Sequence, residues 1–197
     1  MDGDLAERLV AMSREDLAKR EELVRRDELF GGYHPEMRAV HDRNAAALRA
    51  VLDEGGWPPR SVIGEEAAQA AWLIVQHAIG HPDLQRRCRD LMRTAVADGE
   101  AEPAQLAMLE DRIRVFEGRP QLYGTQFDWD DAGELSPRPI EAPDEVDVRR
   151  ARVGLGSLAE RQAELRSQAE REGDSPPRDR EAKRAAYQAW HRETGWR

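Results

Sequence analysis

A chain of 197 residues is long enough to bury one substantial core, and its length gives no strong reason to divide it. Its 30 Lys and Arg stand against 39 Asp and Glu, a formal charge of -9, and a field of that sign argues against a nucleic-acid partner. Cys88 is the only cysteine, which excludes an internal disulfide, a four-cysteine zinc site and an iron–sulfur binding run.

The composition is 40% hydrophobic, 35% charged and 6% aromatic, the balance of a soluble protein with long solvated helical faces. The amino terminus is acidic and does not read as a signal peptide. The most apolar run, AAQAAWLIVQHAI, is too short and interrupted to span a bilayer. The expectation is a cytoplasmic protein with no membrane partner.

The first stretch, DLAERLVAMSREDLAKREELVRRDEL, places Leu5, Leu9 and Met12 on one helical face, with Leu23 and Val24 recurring later. Asp16 and Lys19 interrupt that stripe, either as a surface break or as the polar edge of a pocket. Gly31 and Gly32 stop the element, and Pro35 suits the first turn of the next. There Met37, Val40, Asn44, Ala47 and Val51 fall at helical spacing until Gly55 and Gly56 end the run. Asn44 is an amide inside an apolar stripe, so it either satisfies nearby backbone or faces a cavity.

Two prolines make WPPRSVIGEE a rigid connection. From Glu65 to about Ile79 the pattern is nearly apolar all round, which predicts the central helix of the fold, with Trp72 as an anchor. A break near Gly80 follows, because Pro82 disfavours helical geometry at His81. The next helix carries Leu84, Cys88, Leu91 and Ala95, and Cys88 reads as buried packing. A fifth helix starts at Pro103 with Leu106, Leu109, Ile113 and Phe116 inward, and Gly118 caps it.

Residues 119–143 lose helical periodicity and predict an ordered loop or small irregular strands, longer than an ordinary connection. In SLAERQAELRSQAERE, Ser157 and Glu160 have capping-box spacing. GDSPPRD is a hinge before a last helix with Tyr187 and Trp190. The fold class expected is all-α, an irregular multi-helix bundle with a long ordered polar loop. Its core domain would span 1–156 and a C-terminal helical extension 157–197.

Taken in order, GWPPRSVIG at 56–64, AWLIVQHA at 71–78, LEDRI at 109–113, QLYGTQ at 121–126 and the PIEAPDEVDVRRARVGL run from Pro139 resemble an uncharacterised bacterial helical domain family. The resemblance covers about residues 38–158. It implies a compact helical domain marked by Gln76, His77, Glu110, Asp111, Arg112, Gln121, Tyr123, Thr125, Gln126, Arg149 and Arg150. It brings no activity with it.

The residue chemistry suggests a use for these groups. His77 can exchange a proton near neutral pH, and Glu110, nearer than Asp111 to the Leu106–Ile113 stripe, is the expected carboxylate beside it. Tyr123 can donate to a developing oxyanion. Gln76, Gln121, Thr125 and Gln126 can position a substrate, and Arg149 or Arg150 can bind a carboxylate through its donor fork. The alternative roles are a buried histidine bonded to the QLYGTQ loop and an ion-paired Glu110.

Of the five histidines none belongs to an HExxH pair, and Gly80 and Pro82 disrupt the shared face of His77 and His81. No cofactor is predicted and no metal ligand assigned, with a divalent metal as the lesser alternative. No dinucleotide fingerprint, phosphate loop or nucleophile elbow is present. Trp57 and Trp72 serve as packing anchors, whereas Phe127 and Trp129 could form an open aromatic patch. The expected function is a metal-independent acid–base enzyme, hydrolytic or lyase-like, acting on a small polar metabolite or short peptide. The alternative is a non-catalytic domain binding a ligand or protein, with the terminal helices offering a homodimer or partner surface.

Overall fold

The computed structural model describes residues 2–26, 28 and 33–196. It is mostly helical, as expected, and it separates into two compact units, residues 1–102 and 103–197. The boundary expected at 156/157 lies inside the second unit.

The first unit contains α1 (Asp2–Arg25), α2 (Pro35–Gly55), the short α3 (Arg60–Ile63), α4 (Glu65–His77) and α5 (Pro82–Ala97). The helix stop expected at Gly31 and Gly32 falls outside the described residues. Pro35 occupies the first turn of α2, and His34 caps it by accepting the Glu36 N–H at 3.2 Å. Helix α4 is the central element, packing against α1, α2, α3 and α5. Its Ala67, Ala70, Ala71, Ile74 and Val75 are all buried, and the small alanines let neighbouring helices approach closely.

The buried face of α1 repeats every seven residues, at Leu9, Asp16 and Leu23. Asp16 is therefore a core position occupied by a carboxylate, and not a surface break. On α2 the inward face is Met37, Val40, His41, Asn44, Ala45, Leu48 and Leu52. Ala47 and Val51, expected there, are only half-buried, because the helix is turned so that His41 points inward. Asn44 donates to the Met12 carbonyl at 3.4 Å and so joins α2 to α1.

The second unit contains α6 (Pro103–Phe116), a two-stranded antiparallel hairpin of β1 (Phe127–Trp129) and β2 (Leu135–Pro137), α7 (Val146–Arg152), α8 (Leu158–Glu172) and α9 (Arg180–Thr194). Ser157 and Glu160 form the expected capping box at the start of α8. Helix α9 folds back on the end of α6. The Phe116 ring lies 5.3 Å from Trp190 and 4.9 Å from Trp196, and His191 bonds the Phe116 carbonyl. Among the described residues no helix is long and apolar enough to cross a membrane.

Candidate functional site

Three helices of the first unit bring together Asp16 from α1, His41 from α2 and His77 from the last turn of α4. Asp16 is fully buried, His41 is 8% exposed, and the His77 side chain is 27% exposed. His77 Nδ1 lies 2.8 Å from Asp16 Oδ1, a hydrogen bond. His41 Nε2 lies 3.3 Å from Asp16 Oδ2, but neither atom has a hydrogen-bond partner, so the contact is out of line for an N–H donor. The two imidazole rings are 5.4 Å apart, tilted by 45°.

The other nitrogen of His41, Nδ1, sits 2.7 Å from the Tyr33 hydroxyl, and the two rings stack. Burial pushes the Tyr33 phenol well above its usual range, so it keeps its proton. Burial also pushes the Asp16 carboxyl up, but the side-chain contacts with His41 and His77 outweigh it and hold the group down at about 2. Asp16 is thus a carboxylate at neutral pH, buried between two imidazoles.

Gln85, fully buried on α5, steadies the turn that presents His77. Its amide donates to the Val75 carbonyl at 2.8 Å, a second donor there beside the Ala78 N–H at 3.2 Å, at the C-terminal end of α4. Beside the cluster, His81 Nε2 and Asp42 Oδ1 form a separate, more exposed pair at 2.8 Å.

The QLYGTQ segment and its partners lie in the second unit and form a clamp that holds the loop in place. Asp111 accepts from the N–H groups of Leu122 at 2.6 Å, Tyr123 at 3.1 Å and Thr125 at 3.0 Å, and from the Thr125 hydroxyl at 3.0 Å. Burial pushes the Asp111 carboxyl above its usual range, against the pull of those donors. The Gln121 amide accepts from Gln126 N–H at 2.9 Å and donates to the carbonyls of Gln126 and Arg138 at 3.0 and 2.8 Å. Arg149 donates to the Leu122 carbonyl at 2.7 Å and the Glu141 carbonyl at 2.5 Å, and Arg150 to those of Gly156 and Tyr123, both at 2.6 Å.

The residues singled out in the sequence are therefore divided. Gln76 and His77 belong to the first unit, with Gln76 buried next to the cluster's histidine on α4. Glu110, Tyr123, Gln121, Thr125, Gln126, Arg149 and Arg150 belong to the second. The carboxylate that orients His77 is Asp16, where the sequence reading had Glu110. On α6 it is Asp111, and not Glu110, that is fully buried, because the loop folds onto that side of the helix and supplies four donors.

Asp16 and His41 were absent from the expected site. Each carried a signal: a carboxylate at the seven-residue spacing of an apolar stripe, and a histidine one turn from Met37 and from Asn44. Periodicity alone could not show that the two faces meet.

A family model matches residues 3–170, a span that includes the Asp16–His41–His77 cluster and the whole Asp111 clamp. The chain belongs to DUF6624, a family of unknown function. Helix α9 lies beyond the family match. No curated protein and no solved structure matches the chain.

Proposed function

We propose that this member of the family is an enzyme, hydrolytic or lyase-like, acting on a small polar metabolite or short peptide at the Asp16–His41–His77 centre. One observation carries the reading: a fully buried carboxylate is shared by two imidazoles, one of which reaches solvent. Such a group is a poor device for stability, since well-packed apolar residues of similar size would serve a fold as well or better. It is a good device for activating water or a substrate proton. Asp16 fixes the orientation of His77 through Nδ1, leaving Nε2 as the ring atom free of that bond. The ionised carboxylate also favours any positive charge developing on the ring.

In the second unit Asp111, Gln121, Arg149 and Arg150 are engaged with main-chain groups of that unit, so the reading rests on the first unit. The experiment is a turnover screen with small amides, esters, hydroxy acids and short peptides. His77→Ala should lose activity by 100-fold or more with its helical circular dichroism unchanged, on the order expected for removing an acid–base group. Saturable binding without turnover, lost in His77→Ala, would favour a non-catalytic ligand-binding domain. Unaltered activity in His77→Ala would refute the proposal.

A further inference from the structure

The geometry points to a divalent-cation site formed by Asp16, His41 and His77, taking a first-row transition ion of the zinc or iron(II) kind. The inference rests on the cluster being the reaction centre and changes who activates water there. A water on the ion would be acidified and release its proton to bulk solvent, while His77 serves as a ligand.

Two buried atoms with no hydrogen bond are the first support. Asp16 Oδ2 and His41 Nε2 face one another at 3.3 Å without a donor directed between them. With the His41 proton on Nδ1, its Nε2 and the carboxylate oxygen are both acceptors. A cation between them satisfies both.

Spacing is the second. One donor atom from each of the three side chains lies within 4.8 Å of the others; Asp16 Oδ2 is 3.3 Å from His41 Nε2, and Asp16 Oδ1 is 2.8 Å from His77 Nδ1 in the hydrogen bond that the ion would replace. Ligands bonded at roughly 2.1 Å in tetrahedral or octahedral geometry stand roughly 3.0–3.5 Å apart, so only small side-chain adjustments close the set.

The third is the hydrogen bond behind the ligand. For Nε2 of His41 to bind an ion, Nδ1 must carry the proton, and Tyr33 is placed 2.7 Å away to accept it. Two imidazoles and one carboxylate suit zinc or iron(II) better than magnesium or calcium. Three protein ligands also leave positions open for water and substrate, as in catalytic and not structural sites.

A second group, Glu28, His34 and Glu36, also has donor atoms within 4.8 Å of one another, but its side chains are exposed or half-exposed and already contact neighbouring groups. His34 caps α2. It serves as the control.

The full chain, stripped with a chelator and dialysed, is titrated with zinc by calorimetry and with cobalt(II) by visible absorption. The expected result is one ion per chain at micromolar or tighter affinity, with a cobalt spectrum of nitrogen–oxygen ligation. Asp16→Asn and His77→Ala should each weaken binding at least 100-fold, Tyr33→Phe by about 10-fold, and Glu28→Gln not at all. Circular dichroism confirms folding of each variant, and the partly exposed His77 provides a ligand change with little effect on packing. No binding at micromolar zinc, or binding lost in Glu28→Gln and kept in Asp16→Asn, overturns the site. Turnover that persists in chelator and still requires His77 would overturn the cation while leaving the proposed function standing. Tight binding with no turnover in the screen would do the reverse.

Discussion

Replacing Asp111 with alanine should detach the QLYGTQ loop from α6. The carboxylate holds three main-chain N–H groups and one hydroxyl at 2.6–3.1 Å, from a side chain with no solvent exposure. A hydrogen bond to a charged group contributes about 1.5–3 kcal/mol, and a donor left unsatisfied costs about 1–3 kcal/mol. Leu122, Tyr123 and Thr125 are half-buried, so water can replace part of what is lost. The net expectation for Asp111→Ala is a loss of about 3–5 kcal/mol, a large share of a typical domain's stability.

Asp111→Asn keeps the shape but turns one acceptor into a donor facing donors, and should still lose about 2–3 kcal/mol. Thr125→Val removes the hydroxyl bond to Asp111 and the bond that hydroxyl accepts from the Gln126 amide, and should lose about 1–2 kcal/mol. Urea unfolding followed by circular dichroism measures all three, and hydrogen exchange at the amides of residues 122, 123 and 125 localises the effect. The exchange of those amides should rise before global unfolding in Asp111→Ala. A loss below about 1 kcal/mol, with their protection intact, would refute the account of the loop as carboxylate-held.

Other outcomes follow from the same contacts. In chelator-treated protein the depressed Asp16 carboxyl adds stability that is complete above its ordinary pKa near 4 and is lost as pH falls towards about 2. That contribution is about 2 kcal/mol, so acid unfolding of Asp16→Asn should be correspondingly flatter across that window. Gly124 has φ +65, and a Cβ there would lie 2.7 Å from Leu158 Cδ1 and 3.0 Å from Ile140 Cδ1. Gly124→Ala should therefore destabilise the second unit by about 2–3 kcal/mol in denaturant melts, with less than 1 kcal/mol arguing that the two side chains yield freely. Gln85→Ala removes one of two donors to the Val75 carbonyl, which keeps the Ala78 N–H at 3.2 Å, and should lose about 1 kcal/mol. It should also raise amide exchange in the last turn of α4, and unchanged exchange there would dissociate Gln85 from the presentation of His77.

The local elements were legible because their causes are local. Pro35, Pro82 and Pro103 begin helices, the Ser157–Glu160 box caps α8, and the nearly unbroken apolar pattern of residues 65–79 marked α4 as central. The loss of helical period after Gly118 likewise announced the loop and hairpin. Which polar groups would meet was decided elsewhere. Residues 16, 41 and 77 come from three helices, and nothing in the period of any one fixes the rotation at which it docks on the others. A single helical step of 100° also separates Glu110 from Asp111, and the loop's donors, more than ten residues further on, determine which carboxylate can be buried. By itself the sequence determined helices, breaks and the polar residues available. Tertiary packing alone decided that Asp16 joins two histidines while the QLYGTQ loop closes on Asp111, because a buried charge is tolerated only where distant donors converge on it.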